Sequence, residues 1–271
     1  MKGVGMHMSG ALLSPVVGGV MYGVSAAAVA YSVAVVKKEG LDAKKAAVMG
    51  AAGAFVLAAQ ALNFGIPATG SSGHIVGGVL LAALLGGPAA LLVMSAVLAV
   101  QCFFFADGGA LALGCNVFNL GVVPCLIVYP LLFKPLVKKG MATGSIAVAS
   151  MAAAVVALQI GALGVVFQTW VSGVAGLPFA EFAQSMQPIH LAIGLVEGAA
   201  TAAILCLAWK VRPEIMKNAV ENAALNKAVP IRGVLAMFAA MAIVAGGLSP
   251  LASTNPDGLE WSIERVSAVV E

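Results

Sequence analysis

Charge is scarce in this sequence. Of its 271 residues only 9% are Asp, Glu, Lys or Arg, against roughly 25% in ordinary globular domains, while 61% are hydrophobic. That deficit excludes a soluble domain. The net charge of +3 is small, and the basic residues are placed wrongly for a nucleic-acid surface. Cysteine is limited to Cys102, Cys115, Cys125 and Cys206, all inside apolar runs and without CxxC spacing, so each is expected to be a reduced, buried, small hydrophobe. No GxxxxGK[ST] stretch occurs, which excludes ATP binding in the Walker manner. Neither a Ser-His-Asp set nor paired carboxylates support an enzyme. Histidine is scarce as well, at three residues.

What is abundant is glycine, at 32 residues, and long apolar runs. Polytopic membrane proteins tolerate glycine inside helices. The runs define eight candidate spans, near 11–36, 46–62, 74–87, 88–105, 110–133, 144–172, 187–209 and 231–249. Most approach the ~20 residues a transmembrane helix needs. The third is short and only "GGP" separates it from the fourth. The fifth is interrupted by "GCNVFNLG" and is expected to be broken or re-entrant, with its irregular backbone covered by protein. The segment after "MKGVGM" is too long and too rich in Gly and Ala for a signal peptide, so it is read as a retained span. The fold class is therefore an all-α polytopic membrane protein.

Orientation follows from the basic residues. Lys37, Lys38, Lys44 and Lys45 follow span one; Lys134, Lys138 and Lys139 follow span five; Lys210, Arg212, Lys217, Lys227 and Arg232 follow span seven. By the positive-inside rule these loops face the cytoplasm. The connections after spans two, four and six carry no Lys or Arg, and only Lys2 and Arg265 fall on the other side. Both chain ends are then outside. His7, in "MHMSGALLSP", and His74, in "ATGSSGHIVGG", meet the same outer face although neither entered the assignment.

Neutral imidazole is a common ligand for Ni, Co, Cu and Zn. A histidine second from a free amino terminus can chelate through the terminal amine, its own amide nitrogen and its ring, and another imidazole completes a planar set of four nitrogens. Such a set favours Ni(II) or Cu(II), with Co(II) an alternative occupant. The scheme needs Met6 as the true start, with residues 1–5 a leader or a misassigned start. A single histidine at a membrane interface is more often a hydrogen-bonded anchor. It is the pair on one face that favours metal.

Three stretches in order, "MHMSGALLSPVVGG", "QALNFGIPATGSSGHIVGG" and "FFFADGGALALGCNVFNLGVV", resemble the substrate-binding membrane subunits of cobalt and nickel energy-coupling-factor transporters, the CbiM/NikM family. The likeness covers most of residues 6 to 210. The tail "STNPDGLEWSIERV" resembles the PDGLE element carried by partner or fused subunits of the same systems. The resemblance implies about seven core spans plus one from the fused tail. It implies a metal-binding membrane domain over 6–210, a cytoplasmic connector over 211–230, and an extra span with an outer tail over 231–271. It implies ligands Met6 (through its main-chain amine), His7 and His74, supported by Gln60 and Asn63, with Co(II) or Ni(II) as the transported substrate. The implied partners are a transmembrane coupling subunit, ABC ATPase subunits and a small accessory membrane subunit. The implied location is a prokaryotic plasma membrane.

Other residues carry two readings each. Asp107, in "ADGG", either draws cations or caps the next helix, and the Gly pair favours the cap. Asn116 and Asn119 share a helix face and either line an ion cavity or satisfy freed backbone groups. His190 and Glu197 also share a face, about 10 Å apart and too far to pair. Glu197, an acid within a span, is either functional or a protonated group bonded to a neighbouring helix. His190 is a candidate third imidazole at the cavity rim. Small residues at spacing four, Gly19–Gly23, Ala26–Ala30–Ala34 and Gly194–Gly198, serve packing within the chain or, on span one, contact with the coupling subunit. The stretch 210–232 is expected to hold a short surface helix. The rival function is a stand-alone secondary transporter in which Glu197 and His190 form a proton path.

Overall fold

The structure is a computed structural model that describes residues 7–221, 231–248 and 252–270. Met6, residues 1–5 and the part of the connector from 222 to 230 lie outside the described residues. The apolar runs form α1 (Pro15–Glu39), α2 (Ala43–Gln60), α4 (Gly87–Phe104), α7 (Thr143–Ser172), α8 (Phe179–Val211) and α10 (Ile231–Leu248). Among the described residues five helical columns, namely α1, Ala110–Lys138, α4, α7 and α8, are long and apolar enough to cross a membrane. The chain is an all-α multi-pass membrane protein, and its surface agrees. Val16, Val20, Tyr31, Leu131, Phe167 and Ile243 all lie exposed, as lipid-facing side chains must.

Local signals set the helix ends. Ser14 accepts from the Val17 amide and Pro15 opens α1, while Asp42 accepts from the Lys45 amide to open α2. Gly173, at φ 65°, ends α7 in the left-handed conformation that glycine adopts without strain.

Two expectations are corrected. The third run makes only the eight-residue helix α3 (Gly78–Leu85), about 12 Å long, less than half a ~30 Å hydrocarbon core. It is buried from Gly78 to Leu84, as a helix apolar on every side should be. Gly86, at φ 81°, then turns the chain directly into α4. The fifth run does not break. It continues from α5 (Leu113–Val117) through a wide-turn π-helical stretch, Phe118–Phe133, into α6 (Lys134–Lys138). Pro124 and Pro130 sit inside the wide stretch. Proline offers no N–H to an α-helical ladder, which accounts for the departure from ordinary i→i+4 bonding there.

The expected surface helix is α9 (Pro213–Glu221), which buries Ile215, Met216, Ala219 and Val220. Its Ala219 carbonyl accepts from the Tyr129 hydroxyl at 3.1 Å. Between α2 and α3 a short antiparallel hairpin forms from β1 (Phe64–Ile66) and β2 (Ser71–Gly73). The tail element "PDGLE" opens the amphipathic helix α11 (Gly258–Val270). One large apolar core runs through α2, α3, α4, the π stretch and α7. A second gathers Met8, Leu12, Phe182, Met186, Leu259 and Val266, tying the amino-terminal segment and the tail to α8.

Candidate metal centre

The segment before α1 does not hang free. The Met8 amide donates to Asn116 Oδ1 at 3.1 Å, and Asn116 Nδ2 donates back to the Met8 carbonyl at 3.2 Å. Met8 is 1% exposed, so the methionine after His7 is a core residue that anchors it. The chain also lies against Gly108 and Gly109. A Cβ on Gly109 would stand 2.2 Å from the Gly10 nitrogen, which is the physical need for glycine in "ADGG".

This clamp delivers His7 to Asp107. The His7 amide donates to Asp107 Oδ1 at 3.2 Å, and His7 Nδ1 lies 2.8 Å from Asp107 Oδ2. Asp107 thus holds the histidine, and the N-cap position of the following turn is Gly109. The carboxylate can only accept, so Nδ1 carries the proton and a neutral ring presents its lone pair at Nε2. The His7 amide nitrogen, expected among the chelating atoms, is here a donor to Asp107.

His74 comes from the other side, immediately after β2. Its ring lies edge-on to His7, with centroids 5.5 Å apart and planes at 65°. His7 Nε2 and His74 Nδ1 are both buried without a hydrogen-bond partner. Two orphaned imidazole nitrogens on adjacent rings are a costly arrangement that a bound cation or a hydrogen-bonding water relieves. Burial, aided by the neighbouring His7 ring, pushes His74 down to about 3, so that it is neutral and its lone pair available.

The loop after His74 is fixed by two polar groups that lie apart in sequence. Glu197 of α8 is 1% exposed and accepts from the amides of Val76 and Gly77, both at 3.0 Å. Gln60 Nε2 donates to the Val76 carbonyl at 2.7 Å, and Gln101 Nε2 donates to Gln60 Oε1 at 2.8 Å. Gln101 belongs to no motif in the sequence, and neither does Gln168, whose amide exchanges two bonds with Asn119. The available signal was a lone amide in an apolar helix, which needs a partner at that depth. Asn63 stays at the hairpin base, where its carbonyl accepts from the Ser253 amide at 2.7 Å and its Oδ1 is buried without a partner.

His7, His74, Asn116, Asn119, His190 and Glu197 line one cavity, whose remaining wall is largely apolar. Asn116 thus satisfies backbone and faces the cavity as well. The tail roofs it. The Ser72 amide donates to the Pro256 carbonyl at 2.8 Å, Ser72 Oγ to the Asn255 carbonyl at 2.9 Å, and Trp261 Nε1 to the Thr69 carbonyl at 3.0 Å. These bonds lay the tail beside β2 and place Asp257, Gly258 and Leu259 over the cavity.

Comparison with known proteins identifies the family of the chain. The family model for cobalt uptake substrate-specific transmembrane regions, CbiM, matches residues 7–215, and the PDGLE domain matches residues 232–271. An Archaeoglobus fulgidus protein bearing the name fused nickel transport protein NikMN is 31% identical over 240 residues, covering 89% of this chain and 75% of its own. A metal transport protein of Haloquadratum walsbyi is 33% identical over 226 residues, covering 83% of this chain and all (100%) of its own. The crystal structure of a transition metal transporter superposes with a TM-score of 0.68 at 25% identity, covering 81% of this chain and 100% of that one.

Proposed function

The chain belongs to the CbiM family of cobalt-uptake substrate-specific transmembrane components, and from that premise we propose that it captures Co(II) or Ni(II) for an energy-coupling-factor importer. The observation that carries the reading is the pair of buried, unpartnered nitrogens, His7 Nε2 and His74 Nδ1, on rings 5.5 Å apart. Imidazole nitrogens suit both ions, and the carboxylate behind His7 is the partner that a metal-ligating histidine ordinarily has. Met6, next along the chain, adds its amine if the mature protein begins there; intact-mass measurement of the native protein tests that point.

Capture is at the outer face of a prokaryotic plasma membrane, with the Lys-rich ends of the helices inside. ATP is hydrolysed by separate subunits. What supports a coupling partner is α1, whose stripe of Gly19, Gly23, Ala26, Ala30 and Ala34 is exposed along the outside of the bundle. Gly194 and Gly198, by contrast, pack within the chain against Val155 and Met151. Against a self-sufficient exchanger stands the use of Glu197, whose two oxygens hold backbone amides and lie committed to the His74 loop.

The test is elemental analysis of protein purified after growth with trace Co and Ni, wild type beside His74→Ala. One equivalent of either ion, lost in the variant, supports the site and names the cargo. Retention of a full equivalent in His74→Ala overturns it. Uptake by cells lacking the partner ATPases would overturn the importer assignment alone.

A further inference from the structure

We infer that Asp257 and His190 form a second, weaker divalent-cation station in the roof of the cavity, through which the ion passes to His7 and His74. The inference rests on the reading of those two histidines as the principal ligands.

Four observations lead to it. His190 Nδ1 lies 2.8 Å from the Met186 carbonyl. A carbonyl only accepts, so Nδ1 is the donor, and the neutral ring presents its lone pair at Nε2. His190 lines the same cavity as His7 and His74. Asp257 lines it too, and is 4% exposed. Its carboxylate caps α11, with Oδ1 accepting from the Glu260 amide at 2.8 Å and the Leu259 amide also bonded to the group.

Gly258, the residue after Asp257, packs on His190. A Cβ there would stand 3.3 Å from His190 Cε1, so the tail backbone passes directly over the edge of the imidazole. The parallel bridge between Ser72 and Asp257 fixes that register. The carboxylate is therefore held in place by the hairpin that also carries His74. One imidazole and one carboxylate suit a borderline divalent ion such as Co(II) or Ni(II). With only two protein ligands the station binds weakly and leaves the other positions to water. A transfer point needs that property, because an ion must enter it readily and also leave.

The experiment uses the full chain carrying both His7→Ala and His74→Ala, titrated with Co(II) alone. Equilibrium dialysis and the visible d–d absorption of the ion are read together. The expected result is one weakly bound Co(II), lost on adding His190→Ala or Asp257→Asn. Asparagine caps a helix as well as aspartate does, so the Asn variant keeps the tail docked while removing the charged ligand. In the otherwise wild-type chain, Asp257→Asn should slow Co(II) loading about tenfold while one equivalent is still reached. Absence of bound Co(II) from the double-Ala chain overturns the inference, as does a bound ion indifferent to both added variants. If the wild type itself holds no metal, the His7–His74 reading fails; if it holds one equivalent while the double-Ala chain stays empty, only the roof station fails.

Discussion

Asp107 shows how much one side chain can decide. Its two oxygens receive two N–H groups of a single residue, the His7 amide and ring Nδ1. Asparagine there keeps one acceptor and turns an NH2 group toward the other donor. Asp107→Asn should lower metal affinity by about 10–100-fold, the usual effect of losing the partner behind a ligating histidine, without unfolding the bundle. Equilibrium dialysis with Ni(II) beside thermal unfolding checks this; unchanged affinity would mean that the carboxylate only fastens the amino-terminal segment. His74 carries a different expectation. Burial disfavours its charged form, so its pKa is lowered to about 3 and a proton binds only as pH falls toward that value. In the metal-free protein its ring should stay neutral from pH 8 down to about 5, and imidazole carbon and nitrogen shifts read this directly. At this scale the meeting of His7 and His74 was legible, because histidines are few and both precede outer helix ends. The role of Asp107 was not. Read locally, "ADGG" favours a helix cap, and the contact with His7 comes from a segment 100 positions away.

Among the elements, the pairing of α8 with the His74 loop matters most. Glu197 caps the amides that lead into α3, so a long helix grips a short one at the turn that carries His74. Glu197→Gln keeps the size but leaves one acceptor for two amides. An unsatisfied buried N–H costs about 1–3 kcal/mol, which is the scale of destabilisation expected in the hairpin and loop. Hydrogen exchange at Val76 and Gly77 should accelerate, and metal affinity should fall with it. Fast exchange with unchanged affinity would show that the loop need not be held for His74 to bind. Periodicity and hydropathy were good guides to α1, α4, α7 and α8, where a run of apolar residues has room to be one helix. They misled at α3, because hydropathy adds over "HIVGGVLLAALLGGP" without registering that glycines at its ends hand the chain to a loop and to α4. They also missed α11, whose amphipathic thirteen residues are too short and too polar to stand out as a span. The tail seat on β2 involves backbone carbonyls of Asn255 and Pro256, and no side-chain pattern records those.

For the whole molecule the two ends of the bundle differ in kind. One end gathers His7, Asp107, the hairpin and the docked tail. The other gathers Lys37, Lys38, Lys45, Lys134 and Lys138 at the ends of α1, α2 and α6. The helices connect the ends alternately: α1 runs from the ligand end to its lysines, α2 returns to the hairpin, α4 rises to Asp107, and the Ala110–Lys138 column descends again. An ion captured from outside requires the ligand end to be external, and the positive-inside rule places the lysine end in the cytoplasm. Cargo chemistry and chain insertion thus fix the same orientation separately. Single cysteines test them together, in a chain with Cys102→Ser and Cys206→Ser; Cys115 and Cys125 are buried and stay silent. Val174→Cys lies in the exposed link between α7 and α8 at the ligand end, and Gly140→Cys has open space around it between α6 and α7. A membrane-impermeant maleimide on intact cells should label Val174→Cys at once and Gly140→Cys only after permeabilisation. The reverse pattern would put the histidines inside. Capture from the exterior would then be untenable even if His74→Ala still lost its metal, because a site closed to the outside cannot begin an uptake cycle.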